Sequence, residues 1–173
     1  MSETSLTLDQ FRKLAADRRV IPVIRKVAQQ GFTAVELYRQ LAGERAGTFL
    51  LESAEHGLTW SRYSFIGVNT SAMLSEVAGQ TAWSGRVPEG IIESTNPLEV
   101  LSDLISKLHT PDVNVGISED ELPPLTGGVV GYLGYDIVRR FERLPNLTPD
   151  VLQVPELAMF LATDLAVIDH ELD

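Results

Sequence analysis

The run from Leu125 to Asp136 carries Gly127, Gly128, Gly131 and Gly134 among Val129, Val130, Tyr132, Leu133 and Tyr135. Glycine weakens a strand unless another backbone or a bulky side chain must come close. This density inside an apolar, β-prone run therefore predicts tightly packed strand, with Tyr132 and Tyr135 filling the space beside the glycines. Larger side chains there should cause clash and strain rather than the loss of a chemical step. A phosphate-binding reading fits less well, although glycines ahead of a helix can bring backbone N–H groups to an anion. The spacing is not the dinucleotide fingerprint, no Lys-Ser/Thr follows as in a P-loop, and no βαβ unit surrounds the run.

Helical and extended signals alternate around this segment. Thr7 with Gln10 and Thr33 with Glu36 have capping-box spacing. The first predicts a helix over Leu8–Arg18 resting on a core through Leu8, Phe11, Leu14 and Ala15. The second predicts a helix that carries Ala34, Leu37, Tyr38 and Leu41 and stops at Gly43. A third runs from Pro97 to His109, capped by Asn96, with Leu98, Leu101, Leu104, Ile105 and Leu108 as its buried stripe and His109 at the negative end of its dipole. Strands are expected at Val20–Ile24, as an edge because Pro22 cannot donate, at Thr48–Ser53 and at Arg62–Val68. A hairpin of Ala72–Val77 and Thr81–Trp83 should turn at Gly79-Gln80. Leu157–Ile168 reads as one long strand or two short ones, Ile137, Val138 and Phe141 follow a short helical pattern, and Asp112–Pro124 reads as a loop. The mixture predicts an α+β fold, with antiparallel strands packed as a sandwich and helices outside.

A chain of 173 residues with 44% hydrophobic and 22% charged residues is expected to form one soluble domain. Its 24 acidic against 14 basic residues give a net charge of -10, which repels nucleic acid and anionic bilayers. Cysteine is absent, the start has no signal-peptide pattern, and no apolar run reaches the ~18 residues of a membrane helix. Those features point to the cytoplasm. Asp169–Asp173 has neither a helix stop nor a polar tail, so the chain is expected to end between units of something larger.

His56, His109 and His170 are far apart and lack metal-site spacing. No nucleophile-base-acid arrangement is legible. Glu52 and Ser53, at the end of an apolar strand, either mark the strand surfacing or face a pocket. A small amphoteric ligand would suit the pair, because a carboxylate can meet an ammonium and a hydroxyl can donate or accept. Arg62 could orient Glu52, meet a ligand carboxylate, or form an exposed ion pair.

Leu50-Leu51-Glu52-Ser53, Trp60-Ser61-Arg62-Tyr63-Ser64-Phe65-Ile66-Gly67 and Leu125–Asp136, in that order, resemble the N-terminal region of anthranilate synthase component I. Val20–Val23 and Arg139–Pro145 are similar to actinobacterial members. The resemblance implies a layered fold and a single regulatory domain over residues 1–173, with the catalytic domain absent and this fragment alone inactive. The family converts chorismate, with ammonia from a glutamine amidotransferase subunit, to anthranilate and pyruvate in tryptophan biosynthesis. It carries Mg²⁺ in the catalytic domain and is feedback-inhibited by L-tryptophan. What carries over is a tryptophan site of Ser53, Glu52 and Leu51, with Arg62 and Tyr63 adjoining, and no catalytic or metal residue in this chain. The corresponding domain of aminodeoxychorismate synthase, or a stand-alone amino-acid-binding module, are the competing readings.

Overall fold

The computed structural model describes residues 4–28, 31–52, 62–109, 122–145 and 149–171. Three helices, α1 (Leu8–Leu14), α2 (Ala34–Ala42) and α3 (Pro97–Leu108), accompany five strands. The strands are β1 (Phe49–Leu51), β2 (Tyr63–Val77), β3 (Gln80–Gly85), β4 (Gly128–Leu133) and β5 (Leu157–Asp169), and a 3-10 helix spans Tyr135–Arg140. The α+β class and the antiparallel pairing expected from sequence are both present. All five described strands belong to one sheet in the order β1-β2-β5-β4, and β3 also pairs with β2.

The capping signals act locally, which is why they are readable. Thr33 Oγ1 accepts from Glu36 N–H at 3.3 Å while Glu36 Oε2 accepts from Thr33 N–H at 2.9 Å, and Gly43 ends α2 at φ 59°. Asn96 Oδ1 accepts from Leu98 N–H at 3.1 Å, and His109 closes α3 by donating its N–H to Ile105 O at 2.9 Å. Helix α1 is also capped by a box at Thr7 and Gln10, but it ends at Leu14 and buries none of its residues. The buried side chain here is Leu6, ahead of the cap, so the helix does not lie on the core as expected.

One strand organises the sheet. The two strands expected at 62–68 and 72–77 merge into the single 15-residue β2, which begins at Tyr63 and runs through residues 69–71. Register shifts between Gly67 and Ala72 bend it without ending it. One edge of β2 pairs with β5 from Tyr63↔Asp169 to Ser75↔Ala158. Its other edge takes β1 through residues 65–67 and β3 through residues 72–77, end to end. The hairpin turns at Ala78 and Gly79, both at positive φ, one residue earlier than expected. Val20–Ile24 forms no strand; the neighbouring contact is an isolated bridge between Thr4 and Arg25. Ile24 spends its donor on Ser5 Oγ and its carbonyl on Ser5 N–H, which leaves no ladder to extend.

Each half of β2 carries its own core. Ile66 and Ile168 pack with Ala34 of α2, flanked by Leu37, Tyr38 and Leu50. Leu74 and Leu157 pack with Val100 and Leu101 of α3, flanked by Trp83, Val129 and Met159. The stripe of α3 is thus rotated from the expected one: Val100 is fully buried and Ile105 is 51% exposed. Between β2 and the start of β5, the buried Glu76 carboxylate accepts from Gly79 N–H and from Glu156 N–H, the latter at 3.0 Å. A buried carboxylate is tolerated when hydrogen-bonded in this way.

The middle of the glycine run, Gly128–Leu133, is strand as expected, whereas Gly127 and Gly134 flank it. A Cβ at Gly131 would fall inside the van der Waals shell of the Ala158 carbonyl on β5, so close backbone approach explains that glycine. Tyr132 and Tyr135 do not fill the adjoining space; they are 42% and 92% exposed. Gly131→Ala should therefore lower stability by forcing β4 off β5. Leu74→Ala should cost about 2–5 kcal/mol by opening a cavity. Urea unfolding of the two variants against the wild type measures both effects.

Candidate functional site

Leu51 and Glu52 lie where β1 leaves the sheet, and α2 helps place them. Tyr38 Oη lies 2.9 Å from Thr48 Oγ1, which also contacts Arg45 O at 3.0 Å, so the entry to β1 is tied to the end of α2. Strand side chains alternate between faces. Leu50 joins the α2 core, whereas the Phe49 ring covers Gly67 of β2, where any Cβ would strike it. Leu51 is 43% exposed and Glu52 is also exposed. Among the described residues, Glu52 has no hydrogen-bond or ion-pair partner. Ser53, His56, Trp60 and Ser61 lie outside the described residues.

Arg62, just ahead of β2, and Tyr63, the first residue of β2, meet the end of β5. Arg62 Nε donates to Asp169 Oδ1 at 2.8 Å and its terminal Nη2 donates to Asp169 Oδ2 at 2.6 Å. This is the bidentate geometry in which guanidinium and carboxylate pair most strongly. Glu171 approaches Nε at 3.3 Å, and the guanidinium lies 4.9 Å from the centroid of the Tyr63 ring. Tyr63 is itself packed at 6.1 Å from Phe65. Below this layer, His170 N–H donates to Arg62 O at 2.8 Å, and His170 Nε2 lies 2.8 Å from the Oγ of the buried Ser64. Of the roles weighed for Arg62, the structure displays an ion pair, with side chains only 26% and 17% exposed rather than open to solvent.

Asp169, His170 and Ser64 were not legible as site residues. Their role depends on the register that sets Tyr63 opposite Asp169, more than 100 positions away in the chain. The usable signal was a cation at the start of one long apolar run and a carboxylate at the end of another. Among the described residues no group of three His, Asp or Glu side chains could hold a metal ion. No described helix is long and apolar enough to cross a membrane.

With this geometry in view, the chain reads as an α+β domain that corresponds to part of a larger synthase chain. Those larger chains are anthranilate synthase component 1, to which this chain is homologous. It is 48% identical to the Mycobacterium tuberculosis protein over 162 residues, which is 94% of this chain and 31% of that one. The Mycolicibacterium smegmatis protein is 45% identical over 170 residues, 98% of this chain and 31% of the relative. Anthranilate synthase component 1 of Thermus thermophilus is 37% identical over 80% of this chain. The chain thus spans about a third of the length of these relatives. No protein-family model matches it. The solved anthranilate synthase component I of Streptococcus pneumoniae aligns over 84% of this chain at a TM-score of 0.48 and 19% identity.

The Arg62 hydrogen bonds, more than any other influence, hold the Asp169 carboxyl below its ordinary range, and Asp169 in turn raises Arg62 above its own. A carboxyl lowered by folding contributes stability that is complete above its unfolded pKa and is lost as pH falls through the lowered value. The raised Arg62 stays charged throughout and adds no acid-side dependence. Asp169→Asn should therefore be less stable than wild type at pH 7, and the gap should shrink as pH falls below about 4. Denaturant unfolding at a series of pH values reads this directly.

Proposed function

We propose that residues 1–173 form the N-terminal, tryptophan-sensing regulatory domain of an anthranilate synthase component I. The parent enzyme would be a cytoplasmic lyase that makes anthranilate and pyruvate from chorismate, using ammonia delivered by a glutamine amidotransferase subunit. The observation that carries this reading is the end of the edge strand β1, where Leu51 and Glu52 are both exposed and Glu52 has no partner among the described residues, in a chain 48% identical to an anthranilate synthase component 1. Ser53 follows them in the sequence. In this reading the Mg²⁺ chemistry of the parent enzyme belongs to its catalytic domain, and residues 1–173 alone do not catalyse the reaction.

Tryptophan has an ammonium, a carboxylate and a large apolar ring, and this segment presents a counterpart to each part. Glu52 meets the ammonium through a charge-assisted hydrogen bond, the Ser53 hydroxyl bonds a charged end of the ligand, and Leu51 walls the indole. The rest of the pocket comes from the catalytic domain. An inhibitor acting at a distance can lower activity only by binding the inactive state more tightly than the active one. Typical coupling of ~1–3 kcal/mol, roughly 5–150-fold in affinity, is within reach of a site shared by two domains that rotate on one another.

In the full-length enzyme, Ser53→Ala should raise the tryptophan inhibition constant and leave uninhibited turnover unchanged. Losing one hydrogen bond to a charged group costs about 1.5–3 kcal/mol, or roughly 10- to 150-fold. An unchanged inhibition constant would remove Ser53 from the site. Identification of the product as aminodeoxychorismate would move the chain to the neighbouring enzyme.

A further inference from the structure

We infer that Arg62 and Asp169 form a clasp that positions the end of β1, so that Arg62 serves the tryptophan site by holding it in place and not by touching the ligand. The inference rests on the reading of Leu51, Glu52 and Ser53 given above. It starts from the shortness of β1. Three residues pair with β2 on one side only, through Phe49↔Gly67, Leu50↔Ile66 and Leu51↔Phe65. A ladder that short has little stability of its own, so its order depends on residues 65–67 of β2 being held in place.

Those residues begin two positions beyond Tyr63, where β2 would fray if nothing closed it. Four contacts close it there. They are the double hydrogen bond between Arg62 and Asp169, the approach of Glu171, the bond from His170 N–H to Arg62 O, and the contact of buried Ser64 with His170. The Ser64 contact lies on the face of β2 that also carries Ile66, which packs on α2 beside Leu50. One locked strand end thus supports both the core side and the exposed side of β1.

The same geometry limits a direct role for Arg62. Asp169 already occupies the Nε and Nη2 edge of the guanidinium at 2.8 and 2.6 Å, so a ligand carboxylate could be met only from the Nη1 side, with Nη2 shared between the two carboxylates. One face of the guanidinium also lies against Tyr63. Recruiting the Nε and Nη2 edge to a ligand would mean breaking a sheltered pair, which costs more than it returns unless the ligand replaces every bond.

The two roles make opposite predictions for Asp169→Asn in the full-length enzyme. The substitution frees the guanidinium, so direct contact would keep tryptophan inhibition as strong as in wild type or strengthen it. A positioning clasp predicts an inhibition constant raised roughly tenfold, with kcat and KM for chorismate unchanged. Asp169→Glu, which keeps the charge, should restore much of the inhibition. Amide hydrogen exchange on the same proteins should show faster exchange at residues 49–52 in Asp169→Asn, with the β2–β3 hairpin at the far end of β2 protected as before.

Unchanged or stronger inhibition in Asp169→Asn overturns the inference, as does exchange that rises evenly over the whole sheet or not at all. A wild-type enzyme indifferent to tryptophan would instead sink the tryptophan reading and the ligand half of this inference. The exchange pattern would still decide whether the clasp positions β1.

Discussion

The antiparallel pairing of β2 with β5 is the interaction on which the other contacts rest. It runs from Tyr63↔Asp169 to Ser75↔Ala158, and both hydrophobic clusters are built across it. Ile66 and Ile168 bring in α2 near one end, while Leu74 and Leu157 bring in α3 near the other. A strand as long as β2 must twist, and bulges increase twist and bend the strand that carries them. The register shifts between Gly67 and Ala72 separate the two clusters along its length, so one edge of β2 can hold β1 and β3 in succession.

That arrangement has a consequence for function. Arg62 and the first residues of the long strand, Tyr63 and Ser64, lie at a corner where β1, β2 and the end of β5 converge. Residues exposed at the end of a short edge strand are accessible, which suits a binding role, but they are poorly ordered unless something nearby is rigid. The paired charges at Arg62 and Asp169, with Ser64 and His170 beside them, supply that rigidity at the start of β2. Feedback control by a ligand bound here would need both properties, access for the ligand and a fixed frame against which binding can act.

How much of this was legible in the sequence follows from how local each signal is. The boxes at Thr7 and Thr33 and the Asn96-Pro97 cap involve neighbours within three residues, and all three helices are present. The β2–β3 hairpin was legible for the same reason. Val20–Ile24 has strand composition, but strand composition acquires meaning only with a partner, and Ser5 takes the groups that a ladder would use. Asn69, Thr70 and Ser71 read as a break between strands because they are polar; in the fold they lie within the bulged stretch of one strand. Glu52 and Arg62 stood out as polar residues at the ends of apolar strands, whereas Leu51 and Tyr63 stood out only through their resemblance to a family. The clasp did not, because Asp169 acquires its significance only once the register is known.

The central claim is that Leu51, Glu52 and Ser53 form one wall of a tryptophan site whose frame is locked by Arg62 and Asp169. A crystal structure of the full-length enzyme with tryptophan bound tests it most directly. The account predicts the ligand ammonium within hydrogen-bond distance of the Glu52 carboxylate, the Ser53 hydroxyl on a charged end of the ligand, and Arg62 still paired with Asp169. Tryptophan bound away from the end of β1, or Arg62 turned from Asp169 to the ligand carboxylate, would contradict it.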